Sequence, residues 1–311
     1  IQQAAQRLLS QDRILILSHK SPDGDTLGSA YALLYALYAQ NKTAQVICGD
    51  PIPPQFAYLS DGEKNVSFEP SFIVAVDVAS RELLGKALSD YALRVDLCID
   101  HHRTNEGYAK ETLVDDQAAA ACELLYAVIR EMDVPITGRI ASCLYTGIAT
   151  DSGCFKYPNT TARTHQIAAD LIEAGADYVR INRELFDKKS RARIEIEKQV
   201  LDTLSFAENG RIAWACITQE MLHNTGAQES ELEGLAALPR MNEGVEVGIT
   251  LREQQDGKYK ISVRTAQKAD AAAICAVFGG GGHLRAAGCR TACPYEEAVE
   301  KLIAAAKKEL E

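Results

Sequence analysis

Asp100-His101-His102 closes an apolar run, Val95-Asp96-Leu97-Cys98-Ile99, that reads as a buried strand. A carboxylate and two imidazoles at the carboxyl end of a strand lie where open α/β sheets place their ligands. Core packing asks for no such trio, because burying polar groups without partners is costly. A metal or an anionic substrate accounts for it. His19-Lys20-Ser21-Pro22-Asp23-Gly24-Asp25 follows another apolar run and sets an imidazole and two carboxylates on one tight turn shaped by Pro22 and Gly24. The structural alternative is a strand-to-helix turn capped by Asp25, which leaves His19 and Asp23 unexplained. Asp77, after Val74-Ala75-Val76, and Asp151, in Thr150-Asp151-Ser152-Gly153, each read alone as turn formers.

As a set they read differently. His19, Asp23, Asp25, Asp77, Asp100, His101 and Asp151 all fall at the ends of expected elements on one sheet edge. Carboxylates converging without cations repel and push each other's pKa upward. Two divalent ions would neutralise them, and mixed imidazole and carboxylate donors suit manganese, with magnesium less favoured because it prefers oxygen alone. Two ions about 3.5–4 Å apart are the standard device for phosphoester hydrolysis.

The elements that must position these side chains follow from the apolar pattern. Short apolar runs at 14–17, 44–48, 72–76 and 95–99 are expected strands, alternating with amphipathic stretches. Helices are expected at 27–40, 118–131, 139–150 and 161–174, which predicts a mostly parallel sheet flanked by helices. A charged stretch from Asp187 leads into a connecting helix, and Asn209-Gly210 marks a turn. Beyond it lie expected strands at 212–217, 245–251 and 259–264, a helix at 270–278, the run Gly279-Gly280-Gly281-Gly282-His283 and a terminal helix at 295–310. The expected organisation is an α/β catalytic domain over 1–187, a linker helix over 188–207 and a smaller α/β domain over 208–311. Lys188, Lys189, Arg191 and Arg193 read as a solvated charge run rather than a site.

At 311 residues and 47% hydrophobic content, the chain can bury a real core in each of about two domains. No apolar run approaches the roughly 20 residues that cross a bilayer, and the N-terminus reads as an amphipathic helix rather than a secretion signal. Nine scattered Cys without a Cys-x-x-Cys pair suggest unpaired thiols in a reducing cytoplasm. A net charge of −10 argues against duplex DNA as a partner and favours small anionic substrates met by local cations.

His19…Asp23-x-Asp25, Asp77, Asp100-His101-His102 and Asp151 resemble, in order, the motifs of the DHH phosphoesterase superfamily. Gly280-Gly281-Gly282-His283-Leu284-Arg285-Ala286-Ala287-Gly288 is similar to the signature of the accessory DHHA1 domain, and Arg264 to the phosphate-binding strand of that domain. The resemblance covers essentially the whole chain. It implies a two-domain enzyme of the kind that degrades short single-stranded oligoribonucleotides (nanoRNA) and removes the 3′-phosphate of 3′-phosphoadenosine 5′-phosphate (pAp), usually with manganese.

Carried over by residue, the resemblance implies one ion held by His19, Asp23 and Asp77 and a second held by Asp25, Asp77, His101 and Asp151. A hydroxide between the ions would attack phosphorus. His102 would contact the phosphate or protonate the departing oxygen, with Asp100 orienting a ligating imidazole. Asn105 would contact substrate. Arg264, Gly281, Gly282 and His283 would grip a phosphate across a cleft between the domains. A homodimer and a cytoplasmic setting, with no membrane contact, complete the expectation. Alternatives are a phosphodiesterase for linear dinucleotides such as pApA or pGpG, and a non-catalytic nucleotide sensor. An inorganic pyrophosphatase is disfavoured by the Gly-Gly-Gly-His signature, and a long-strand exonuclease by length and charge.

Overall fold

Strands whose residues are apolar at every position, rather than at alternate ones, can be stable only if both faces of their sheet are covered. The computed structural model, which describes residues 1–232 and 234–311, meets that condition in the first of its two compact units, Ile1–Lys188. Strands β1 (Ile14–Ser18), β2 (Ala44–Cys48), β3 (Phe72–Val76), β4 (Leu97–Asp100) and β5 (Glu111–Val114) form a five-stranded sheet in the order β2-β1-β3-β4-β5. Every pairing in it is parallel. Ile14, Ile16, Val74, Val76, Leu97 and Ile99 face a helical layer. The alternate positions Leu15, Leu17, Ile73 and Ala75 face Val78 of the loop after β3 and Leu84, Leu88 and Ala92, carried by 3-10 turns and a short helix. The helices of this unit are α1 (Gln2–Ser10), α2 (Gly24–Ala39), α3 (Ser89–Ala92), α4 (Ala121–Glu131), α5 (Gly138–Asp151), α6 (Ala162–Glu173) and α7 (Tyr178–Asn182).

Helix α2 starts earlier than its apolar spacing suggests. Asp23, not Asp25, is its N-cap: the Asp23 carboxylate accepts from the backbone amides of Asp25 and Thr26 at 3.0 and 3.1 Å. Asp25 is thereby drawn into the first turn and fully buried. Helix α2 is buried on all sides from Gly24 to Leu37, which explains its lack of a polar face. Its contact with α5 is close enough that a Cβ on Gly28 would meet the Cys143 carbonyl oxygen at 2.4 Å and the Gly147 nitrogen at 3.1 Å.

The second unit, Lys189–Glu311, is built on a six-stranded mixed sheet ordered β10-β11-β9-β8-β7-β6. Its strands are β6 (Ser205–Ala207), β7 (Ile212–Ile217), β8 (Val247–Glu253), β9 (Tyr259–Thr265), β10 (Gly281–His283) and β11 (Ala286–Thr291), with helices α8 (Arg191–Asp202), α9 (Gln219–Thr225), α10 (Ala271–Cys275) and α11 (Tyr295–Leu310). Helices α10 and α11 cover one face through Ile274, Ala298 and Leu302 on Ile249, Ile261 and Val263. The expected connecting helix, α8, packs within this unit: Ile196 and Val200 are buried with Ala215 and Ile217 of β7. The helix expected over 270–278 changes to a 3-10 turn after Cys275. The glycine run ends in edge strand β10, paired antiparallel to β11. Among the described residues, no helix is long and apolar enough to cross a membrane.

Replacing Gly28 by Ala inserts a methyl group between α2 and α5. The expected loss of stability is about 1–3 kcal/mol in urea denaturation. A change below about 0.5 kcal/mol, the range of ordinary surface substitutions, would mean that the helices do not need this close approach.

Candidate metal centre

In the sheet order β2-β1-β3-β4-β5 the chain moves to opposite sides from β1, so the crevice between the carboxyl ends of β1 and β3 is the topological switch point where ligands bind. His19 follows β1 and Asp77 follows β3, flanking that crevice. Asp100 is the last residue of β4, with His101 and His102 just beyond, and Asp151 is the last residue of α5. Asp77 has φ of 58°, a left-handed conformation uncommon for a residue with a side chain. Its amide still donates to the Ile99 carbonyl at 2.9 Å, so the surrounding sheet holds the strained turn in place.

The sequence-derived residues converge. His19 Nε2 lies 3.6 Å from Asp23 Oδ1 and 3.5 Å from Asp77 Oδ2. His101 Nε2 lies 3.7, 3.5 and 3.3 Å from Asp25 Oδ2, Asp77 Oδ1 and Asp151 Oδ2. These atoms form two groups with the spacing of metal donors, His19–Asp23–Asp77 and Asp25–His101–Asp151, while Asp77 also stands in a third group with His101 and His102.

A metal fits this array on three counts. Asp77 Oδ1 and His101 Nε2 are buried polar atoms without a hydrogen-bond partner, an arrangement that native interiors rarely tolerate without a ligand. The donor separations exceed those of good hydrogen bonds but approach the roughly 3.0–3.4 Å between two atoms bonded at about 2.1 Å to one ion. The imidazoles are also oriented for it: His19 Nδ1 pairs with the Lys20 carbonyl at 2.8 Å and His101 Nδ1 with the Ala118 carbonyl at 3.2 Å. A proton on Nδ1 leaves the Nε2 lone pair aimed at the carboxylates.

Sequence reasoning missed the groups that hold Asp25. Its carboxylate accepts from the amides of Ala121 and Cys122 at 2.6 and 3.0 Å, at the N-terminus of α4, where the helix dipole favours a negative charge. Backbone donors carry no sequence signature; only the placement of Asp25 opposite a helix start reveals them. Asp100 stands outside the donor array. Its Oδ1 accepts from the His101 amide at 2.9 Å and faces His102 Nδ1 at 2.8 Å, while Oδ2 accepts from Asn105 Nδ2 at 2.6 Å. Asn105 Oδ1 accepts from the Gly107 amide at 2.8 Å. The Asn105 side chain, expected on substrate, is thus engaged inside the protein, on Asp100 and the following turn.

Charge in the centre is severely unbalanced. Burial, followed by the neighbouring Asp77 and Asp151 carboxylates, raises Asp25 well above the usual carboxylate range. Burial pushes Asp77 up to about 6, against the pull of His19. For His19 burial favours the neutral ring, yet Asp23 and Asp77 outweigh it and raise its pKa to about 11. Burial is likewise overcome at His101, where Asp151, Asp25 and Asp77 raise the pKa to about 10. The carboxylates demand positive charge. Divalent ions held by these residues would supply it and favour neutral imidazoles.

In the second unit Arg264 of β9 stands opposite Ala286 of β11, which in turn opposes His283 of β10. Arg264, Gly281 and Gly282 line a groove of about 520 Å³ on the sheet face that α10 and α11 leave open. Gly282 has φ of 152°, and a Cβ there would lie 2.7 Å from the Ala286 oxygen, so the approach of β10 to β11 requires glycine.

Residues 13–148 match the DHH family, N-terminal domain, and residues 212–311 match the DHHA1 domain. The bifunctional oligoribonuclease and PAP phosphatase NrnA of Thermus thermophilus is 30% identical over 305 residues, covering 96% of this chain and 90% of that protein. The cyclic-di-AMP phosphodiesterase PdeA of Listeria monocytogenes is 25% identical over 91% of this chain but only 46% of its own length. An exopolyphosphatase-related protein from Bacteroides fragilis superposes with a TM-score of 0.84 at 27% identity, covering 99% of this chain and 95% of that one. Fold and site together define a phosphoester hydrolase of a metal-dependent class. The chain belongs to the DHH family and carries a DHHA1 domain after its catalytic domain.

The charge imbalance has a measurable signature in metal-free protein. His19 and His101 titrate above their unfolded value of 6.5, so the stability they contribute is whole below pH 6.5 and is lost as pH rises toward 10 and 11. Asp77, raised from 3.8 to about 6, acts in the same direction at lower pH. Metal-free protein should therefore melt at falling temperature between pH 6.5 and 8.5, with the gain on adding manganese widening over that window. A flat or rising melting temperature in calorimetry would contradict the assignment of these groups.

Proposed function

We propose that this enzyme degrades short single-stranded oligoribonucleotides and removes the 3′-phosphate of pAp, using two manganese ions, with magnesium as a substitute. The observation that carries the reading is the convergence of His19, Asp23, Asp25, Asp77, His101 and Asp151 around unpartnered Asp77 Oδ1 and His101 Nε2. His19, Asp23 and Asp77 would hold one ion; Asp25, Asp77, His101 and Asp151 would hold the other, with Asp77 shared. When bound, such ions supply charge neutralisation at the phosphate and a water acidified enough to attack phosphorus near neutral pH.

The remaining steps fall to side chains. Asp100 holds His102 through Nδ1, which leaves Nε2 of this exposed residue to contact the phosphate or hand a proton to the departing oxygen. Asn105 acts on Asp100, bracing the carboxylate that sets the His102 ring. Arg264 and His283 hold a substrate phosphate, the guanidinium by paired donors, with Gly281 and Gly282 admitting backbone N–H groups to the anion.

A net charge of −10 suits a small anion met by local cations better than duplex DNA, and the unpaired cysteines suit the cytoplasm. A second reading, hydrolysis of linear dinucleotides such as pApA, is favoured by the similarity to the Listeria phosphodiesterase. A non-catalytic sensor is opposed by the complete donor set.

Steady-state turnover with manganese on pAp, a dinucleotide and a pentanucleotide tests the reading. Hydrolysis of pAp and of RNA at comparable kcat/KM supports it. Turnover of pApA alone would favour the second reading, and no turnover the sensor. Asp77→Ala should lower kcat by at least about 10³-fold, because both donor groups lose a member; retained activity would contradict the shared role. Arg264→Ala should raise KM by roughly 10–100-fold with kcat nearly unchanged, the loss of a charge-assisted contact made in ground and transition states alike. An unaltered KM would remove Arg264 from the phosphate site.

A further inference from the structure

Strands β9 and β11 present a chemically distinct surface at the end of the groove away from Arg264. Lys260, Ser262 and Arg264 alternate along the open face of β9, opposite Arg290, Gly288 and Ala286 of β11. The intervening Ile261, Val263, Ala287 and Cys289 are buried on the other face. Lys260 is also paired in register with Arg252 of β8. Arg252, Lys260 and Arg290 therefore form a row of cations directly opposite one another across three neighbouring strands, an arrangement that is destabilising by itself.

Part of that charge is answered within the protein. Glu229 forms an ion pair with Arg252, and Arg252 foremost, with help from Lys260, holds the Glu229 carboxyl below its usual value. Lys260 and Arg290 have no carboxylate within 4 Å among the described residues. Both line the same groove as Arg264. In a chain with a net charge of −10, a concentration of cations on one groove marks a place for an external anion.

We propose that Lys260 and Arg290 form a further phosphate subsite, for a phosphate of a single-stranded oligonucleotide whose chain runs on past Arg264. This rests on the reading of Arg264 as a phosphate grip. Four residues of strand separate the two positions, about 14 Å at roughly 3.4 Å per residue. One nucleoside separates its 3′ and 5′ phosphorus atoms by six bonds of about 1.5 Å, so by at most about 9 Å. That backbone spacing leaves room along the groove for a further nucleotide beyond a phosphate held at Arg264. Ser262 and Gly288, opposed in register between the two positions, supply a hydroxyl and an unobstructed stretch of backbone over which the intervening sugar passes. Each further phosphate gives the chain one more contact, so the subsite favours longer chains over the smallest substrates.

The test compares wild-type full-length chain with the variant Lys260→Ala/Arg290→Ala. The kcat/KM ratio for pentanucleotide over pAp should fall about tenfold in the variant, through KM. In parallel, fluorescence anisotropy with a labelled pentanucleotide in EDTA, between 50 and 200 mM salt, should show the slope of log K against log salt reduced by about 1.4, the loss of two phosphate contacts on a single strand. An unchanged ratio and slope would overturn the proposal, as would failure of the wild-type chain to bind the pentanucleotide. Should wild type bind RNA with the expected slope but hydrolyse neither substrate, the phosphatase and nuclease reading falls while the subsite stands.

Discussion

Negative charge crowded into a space with little water is the constraint on which the catalytic domain depends. Asp25 and Asp77 are buried, and both lie near Asp151. Removing carboxylates from water without compensation is among the most expensive arrangements a fold can contain. Two imidazoles and the N-terminal amides of α4 meet part of the demand. The rest requires cations from outside. Folding is therefore coupled to pH through these groups, and the same crowding would give ions bound here their grip.

The architecture around the centre is arranged to maintain that crowding. A fully parallel sheet delivers β1, β3 and β4 to one edge with their carboxyl ends aligned, so side chains distant in sequence meet without long loops. The close α2–α5 contact carries Asp25 and Asp151 on neighbouring helices. Strain at Asp77 is borne by the sheet hydrogen bond from its own amide. Each imidazole has one ring nitrogen committed to a carbonyl or to Asp100.

Much of this was legible before any coordinates. Strands buried on both faces give apolar runs that are hard to mistake, and the polar residues that interrupt them at their ends stand out by contrast. That is why His19, Asp77 and Asp100 could be read as site residues. What was hidden has physical reasons. Strand β5, Glu111–Val114, alternates half-buried and exposed positions over too short a span to register as a run. Strand β10 is made largely of glycine, and its pairing depends on β11 rather than on propensity. Asp25 is held from across the fold by the α4 amides, a contact that sequence spacing cannot display. The engagement of Asn105 with Asp100 is a tertiary fact of the same kind.

The central claim is that the carboxylate–imidazole array takes up a pair of divalent cations, and counting them is the most direct test. Isothermal titration of metal-free protein with manganese at pH 7.5, checked by elemental analysis after gel filtration, should give two ions per chain with release of protons on binding. A single ion, or none retained, would contradict the account.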